Sequence, residues 1–165
     1  MTDIYDPNSR FHESNEIHHT AIIHDNVKLG KNNKIGAYCV IGSNGEIRNV
    51  ERFQGDVIIG DGNIISELVT IQRPAEKNQS TVIGNNNIIM AHSHIGHDVK
   101  INDNNEICTG CILGGYSSIG SNNKLKLGVT VRNRKIIEDN ILIGMGSVVV
   151  KNVKSNSVIY GNPAK

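Results

Sequence analysis

The feature that most constrains this chain is an aliphatic side chain at every sixth position through its second half. Apolar residues recur about every 3.6 positions on a helix face and every second position on a strand, so neither regular element has this period. A strict spacing of six therefore predicts a solenoid of short straight segments joined by regular corners. The uninterrupted run comprises Ile83, Ile89, Ile95, Ile101, Ile107, Leu113, Ile119, Leu125, Val131, Ile137, Ile143 and Val149.

A longer period lies on top of the short one. Asn87, Asn105 and Asn123 each close a polar corner, and they recur at 105 − 87 = 18 and 123 − 105 = 18 positions. Three six-residue units then make one turn, which predicts a triangle of three short parallel strands. Asn accepts left-handed backbone angles more readily than most residues, which gives an Asn column at one corner a physical cause.

Two breaks in the longer period predict two loops that leave the coil. The matching corners Asn33 and Asn63 lie 63 − 33 = 30 positions apart, and Asn63 and Asn87 lie 87 − 63 = 24 apart. The excess over eighteen is twelve residues in the first case and six in the second. We expect the loops near Gly45–Gln54 and Pro74–Ser80, and loops held by a rigid scaffold tend to carry function.

Composition predicts a single domain over 1–165, with a polar segment 1–16, coils 17–150 and a tail 151–165. The formal net charge of +1 argues against a nucleic-acid footprint. No stretch approaches eighteen apolar residues and no apolar signal region opens the chain, so we expect a cytoplasmic protein without a membrane span. Cys39 and Cys111 occupy small inward positions, which predicts buried reduced thiols.

With these repeats in place, the chain resembles the left-handed parallel β-helix, or hexapeptide-repeat, acyltransferases. IHHTAIIHDNVKLGKNNKIGAYCVIG and VTIQRPAEKNQSTVIGNNNIIMAHSHIGHDVKI are similar to the UDP-N-acetylglucosamine acyltransferases of lipid A synthesis. The ending GMGSVVVKNVKSNSVIYGNPAK instead resembles sugar acetyltransferases that use acetyl-CoA. The resemblance implies an all-β, left-handed β-helix of about seven coils with two loop excursions, assembled as a homotrimer.

The resemblance also implies the reaction. The lipid A family has a helical C-terminal domain beyond its coils and an acidic residue in its first loop, and neither has an obvious counterpart here. We therefore expect acetyl transfer from acetyl-CoA to an amine or hydroxyl of a sugar, in particular a nucleotide-linked one. The alternative of the same class is acylation of UDP-N-acetylglucosamine by an acyl carrier protein.

Two residues, His97 and Gly115, match the family's catalytic positions, and Asp98 or another carboxylate is expected to support His97. His97, in IGHDV, is the expected general base, because an imidazole with an ordinary pKa of about 6.5 can take a proton at neutral pH. Asp98 is expected to orient the ring. Gly115, at 97 + 18 = 115, matches the glycine whose backbone N–H receives the thioester oxygen in that family.

The same edge supplies the expected binding residues. Arg73 lies one coil before His97 once six loop residues are allowed for, and Asn133 lies one coil after Gly115. Arg73, His94 and Asn133 are predicted to bind the acceptor substrate. A basic group late in the chain is predicted to hold the phosphates and pantetheine of the donor, namely Arg132, Arg134 and Lys151.

Two interpretations of a different class remain open. His92, His94 and His97 could bind zinc as in hexapeptide-repeat carbonic anhydrases, although the ligand spacing of that group is not matched and we expect no metal. The chain could also be a non-catalytic structural solenoid. Either would leave His97 without an acceptor to deprotonate.

Overall fold

A computed structural model describes residues 10–47 and 55–165 of the chain. The described residues form short strands of two to four residues, and every pairing between named strands is parallel. They build three sheets, so successive strands along the chain pass to successive sheets. The predicted parallel β-helix is confirmed.

Each sheet is a stack in which a strand pairs with its equivalents in the coils before and after it. The first sheet contains β1 (Glu16–Ile17), β4 (Lys34–Ile35), β7 (Ile64–Ile65), β10 (Ile88–Ile89), β13 (Glu106–Ile107), β16 (Lys124–Leu125), β19 (Leu142–Ile143) and β21 (Val158–Ile159). The second contains β2 (Ile22–Ile23), β5 (Val40–Ser43), β8 (Thr70–Gln72), β11 (His94–Ile95), β14 (Ile112–Leu113), β17 (Thr130–Val131) and β20 (Val148–Val149). The third contains β3 (Val27–Leu29), β6 (Asp56–Ile59), β9 (Ser80–Ile83), β12 (Lys100–Ile101), β15 (Ser118–Ile119) and β18 (Ile136–Ile137).

The core is the column of aliphatic side chains inside the triangle. Ile89, Ile107 and Leu125 pair in vertical register at steps of eighteen residues and are fully buried. Cys39 and Cys111 share this interior as buried free thiols, as predicted. Burial raises the pKa of Cys111 to about 11, which keeps the thiol protonated and unreactive at neutral pH.

The Asn column has a different cause from the one predicted. The left-handed φ belongs to the preceding residue, as in Asn104 with φ 60° and Asn122 with φ 59°. Asn105 and Asn123 instead point inward, where the Asn105 Oδ1 accepts a hydrogen bond of 2.9 Å from the Asn123 N–H. The column is therefore a ladder of buried side-chain amides that supply hydrogen-bond partners to the backbone groups at one corner.

Both predicted loops interrupt the coils at the expected places. Ile35 pairs with Ile65 and Ile65 with Ile89, at steps of 65 − 35 = 30 and 89 − 65 = 24 residues. The first loop lies between β5 and β6, and its residues 48–54 lie outside the described residues. The second loop comprises residues 73–79, because Ser80 already begins β9.

The coils also continue beyond the predicted boundary at residue 150. Val153 bridges to Ile137, and Ile143 pairs with Ile159 at a step of 159 − 143 = 16. The corner after β20 is thus two residues shorter than the others. This shortening shifts the six-residue phase, which is why the sequence pattern predicted a tail over 151–165.

Candidate active site

His97 and Asp98 lie at the corner that joins the second sheet to the third, between β11 and β12. Gly115 occupies the equivalent place one coil on, because Ile95 pairs with Leu113 and the Tyr116 N–H donates to the His97 carbonyl at 3.0 Å. The predicted vertical register of His97 and Gly115 is therefore present in the structure.

The imidazole and carboxylate form a shielded pair. The His97 Nδ1 lies 2.9 Å from the Asp98 Oδ2, and each residue is only 7% exposed. A carboxylate at this distance accepts a hydrogen bond from the Nδ1–H, which leaves the Nε2 lone pair available to a substrate. Asp98 has φ 58°, a left-handed conformation that Asp adopts more readily than most residues.

Gly115 lies directly against the ring of His97. A Cβ atom added to Gly115 would lie 2.5 Å from the His97 Nε2, so no side chain fits between this backbone and the imidazole. Within the described part of the chain, no hydrogen bond uses the Gly115 N–H. The corner thus presents an unused donor beside a basic nitrogen.

His94 projects from β11 on the outer face of the second sheet. Its Nδ1 lies 2.7 Å from the Thr70 Oγ1. Burial lowers the pKa of His94, and the His97 ring adds to this, whereas the Glu46 carboxylate opposes it. Glu46 belongs to the first loop and was not among the predicted site residues; it places an acidic group beside this histidine.

Arg73 lies one coil before His97, since Ile71 pairs with Ile95. Its guanidinium hydrogen-bonds the Asn44 side chain, and its N–H donates to the Ser43 carbonyl at 2.8 Å. Arg73 therefore lies on the same edge as His97, where it connects the first loop to the second.

The residues predicted on the other side of Gly115 are exposed. Asn133 lies one coil beyond Gly115 with its side chain over Gly114. The Arg134 guanidinium stacks 3.9 Å from the centre of the Tyr116 ring, and Tyr116 in turn packs edge-on against His97, with 4.8 Å between ring centres. Arg132, next to Asn133 in the same coil, and Lys151, one coil beyond Asn133, are also exposed.

Tyr116 is a second residue that the sequence patterns did not single out. Burial raises the pKa of its hydroxyl, and the nearby Glu76 carboxylate raises this pKa further. A groove of about 300 Å³ opens beside this contact and reaches Asp98 and Lys100. The signal that could have identified Tyr116 is its position next to Gly115 in LGGY.

The three histidines considered for zinc do not converge. His92 is exposed at a different corner, with φ 61°. Across residues 10–47 and 55–165, no group of three His, Cys, Asp or Glu side chains could hold a metal ion. Nor does any helix in those residues have the length and apolar character needed to cross a bilayer.

Comparisons with known proteins match this architecture. The family model "Bacterial transferase hexapeptide (six repeats)" matches residues 80–115, which include His97 and Gly115. The acyl-[acyl-carrier-protein]–UDP-N-acetylglucosamine O-acyltransferase of Stutzerimonas stutzeri is 29% identical over 151 residues, covering 84% of this chain and 54% of that protein. Its counterpart in Rickettsia bellii is 32% identical over 124 residues, covering 53% of this chain and 44% of that protein.

Solved structures agree at the level of the whole fold. The crystal structure of UDP-N-acetylglucosamine O-acyltransferase from Moraxella catarrhalis has a TM-score of 0.73 and 29% identity, covering 93% of this chain and 72% of that one. The Campylobacter jejuni enzyme, at 20% identity and a TM-score of 0.77, shares the fold. The chain spans about half the length, or less, of the curated relatives cited above.

The structural likeness covers nearly the whole chain, and the family model covers the coils that contain His97 and Gly115. The chain is therefore similar to the hexapeptide-repeat acyltransferases and shares their left-handed β-helix fold.

Proposed function

We propose that this protein transfers an acyl group from a carrier thioester directly to a hydroxyl of a nucleotide sugar such as UDP-N-acetylglucosamine. The observation that carries the proposal is the buried His97–Asp98 pair seated against the unused N–H of Gly115. A base beside an oxyanion donor is the arrangement that acyl transfer requires.

The reaction would proceed without an acyl-enzyme. The His97 Nε2 takes the proton of the acceptor hydroxyl as its oxygen attacks the thioester carbonyl, while Asp98 supports the resulting imidazolium. The Gly115 N–H donates to the tetrahedral oxyanion. When this intermediate collapses, the carbon–sulfur bond breaks and the imidazolium returns its proton to the departing thiolate.

The relatives favour an acyl carrier protein as donor over the acetyl-CoA expected from the sequence. The names of these relatives specify acyl-[acyl-carrier-protein] and UDP-N-acetylglucosamine, and they match much of this chain. We therefore place carrier-protein-dependent O-acylation first. Acetyl-CoA remains the second candidate donor because Arg132, Arg134 and Lys151 are exposed beyond Gly115, where phosphates could be held.

The test measures thiol release with UDP-N-acetylglucosamine and related nucleotide sugars as acceptors. The donors are acyl carrier proteins bearing chains of graded length, with acetyl-CoA as a separate arm. His97→Ala should lower turnover roughly 10²- to 10⁴-fold, the usual contribution of a general base.

His92→Ala is the matched control, because this exposed histidine lies in the same coil at a different corner. It should retain wild-type turnover. No thiol release with any donor and acceptor pair, or equal turnover in the two histidine variants, would refute the proposed reaction.

A further inference from the structure

We propose that the second loop, residues 73–79, is a positioning clamp: the Ala75 N–H fixes the Asp98 carboxylate and thereby sets the tautomer and orientation of His97. The catalytic consequence rests on the proposed function. The structural part concerns the free protein and can be tested without any substrate.

The Asp98 carboxylate is anchored through one oxygen only. Its Oδ2 accepts hydrogen bonds of 2.9 Å from the Ala75 N–H and 2.9 Å from the His97 Nδ1. Its Oδ1 is buried and has no hydrogen-bond partner among the described residues. Ala75 is therefore the one group there, other than His97 itself, that holds this carboxylate in place.

The second loop packs against the corner that carries Asp98, which keeps the Ala75 N–H beside the carboxylate. Pro74 and Ala75 are buried, and the Asp98 N–H donates at 3.0 Å to the Oγ1 of Thr81, just after the loop. Glu76, the next loop residue, lines the same groove as Tyr116 and Asp98. Because the Tyr116 ring packs edge-on against His97, the loop reaches the imidazole from two sides.

These contacts decide which nitrogen of His97 is basic. A neutral imidazole has two tautomers, and the one with the proton on Nδ1 leaves Nε2 free to face Gly115. The terminal torsion of an Asp side chain is broad, so a carboxylate with a single remaining hydrogen bond can rotate. Loss of the Ala75 N–H should therefore allow both tautomers of His97 to be populated.

The repeat itself offers a variant that removes the loop and keeps the fold. Ile71 and Ile83 are 83 − 71 = 12 residues apart, and replacing 74–80 by a single Asn removes six, which restores the six-residue spacing. Asn suits the left-handed corner that this shorter unit needs. Thr81 is retained, so its bond to the Asp98 backbone can persist.

The primary measurement is the ¹⁵N NMR spectrum of the His97 ring at about pH 8.5, where an ordinary imidazole is neutral. The wild type should show the Nδ1-protonated tautomer alone, whereas the excised variant should show a mixture. Turnover should fall roughly 10²-fold in the excised variant, the usual cost of displacing a reacting group by about 1 Å.

Two further variants keep the test decisive. Ala75→Pro removes only the donor, and it is measured in the same way if the excised chain does not fold. Lys77→Ala, at an exposed position of the same loop, is the matched control and should match the wild type in both measurements.

A single Nδ1-protonated tautomer in the excised variant, or in Ala75→Pro, would overturn the clamp. A mixture in those variants supports it even if no nucleotide sugar is acylated by the wild type. Absence of thiol release in the wild type would instead reject the proposed reaction, so the two failures are distinguishable.

Discussion

At the scale of single residues, close packing at the corner beside β11 leaves no room for a side chain at two positions. Gly115 must lack a side chain because its backbone lies against the His97 ring, and Gly96 must lack one because a Cβ there would lie 2.8 Å from the Gly115 nitrogen. Both glycines follow from close packing of adjacent coils. Neither has the positive φ found at several other glycines of the chain, such as Gly110 and Gly128.

Gly115→Ala should therefore impair the site without unfolding the protein. The added methyl group would displace the imidazole, and a misplacement of about 1 Å can lower a rate by roughly 10²-fold. The measurement is kcat/KM in the thiol-release assay together with Tm. Gly128→Asn is the control. A Cβ atom added to Gly128 would have no heavy atom beyond its chain neighbours within 4 Å, and Asn tolerates its φ of 68°. Wild-type kcat/KM in Gly115→Ala would contradict the assigned contact.

His94 should make stability depend on pH. Burial lowers its pKa from the ordinary value of 6.5, so between the two pKa values the unfolded chain binds more protons than the folded one. Its contribution to stability is then fully present above pH 6.5 and declines as the pH falls through the pKa of the folded state. When the pH is lowered from 8 to about 5, the Tm of His94→Gln should fall less than the Tm of the wild type. Parallel Tm profiles for the two proteins would exclude this origin.

At the scale of elements, the two-residue strands depend on their corners. A pair of strands this short makes few ladder bonds, so the stacked amides at the Asn corner supply much of what keeps adjacent coils in register. The column continues through both loop insertions, since the Asn63 N–H donates to the Asn33 Oδ1 and the Asn87 N–H to the Asn63 Oδ1, each at 2.9 Å.

Asn105→Ala should destabilise the fold. It removes the acceptor of the buried Asn123 N–H and the donor to the Gly120 carbonyl, and each orphaned buried group costs about 1–3 kcal/mol. The measurement is urea unfolding. Asn104→Gly, at the exposed neighbour with φ 60°, removes no ladder bond and should be close to neutral. Equal destabilisation by the two substitutions would refute the ladder as the source.

The elements that could be predicted are those set by repetition. The spacing of Ile83 to Val149 located the coils and the step from His97 to Gly115, because each coil repeats the geometry of the last. Ala75, Glu76 and Glu46 could not be placed, since a loop outside the repeat acquires its neighbours only from tertiary packing. The backbone role of Ala75 also leaves no trace in the identity of its side chain.

At the scale of the whole molecule, exposed aliphatic side chains flank the candidate site. Ile112 on the second sheet is 45% exposed and Ile136 on the third is 48% exposed, and these two sheets meet at the corner that carries His97. Exposed aliphatics on both flanks of a cleft are typical of surfaces that pack against another chain.

The homotrimer is accordingly the prediction for the assembled protein. Light scattering should give a mass near 3 × 18.0 = 54.0 kDa for the wild type. Ile112→Lys should shift the mass towards 18.0 kDa and lower turnover, because a buried ammonium group would oppose association beside the site. Ile88→Lys, on the first sheet and 38% exposed, should leave both the mass and turnover unchanged. A wild-type mass of 18.0 kDa with full activity would show instead that the corner of a single chain is sufficient, and the exposed aliphatics would then need a different partner.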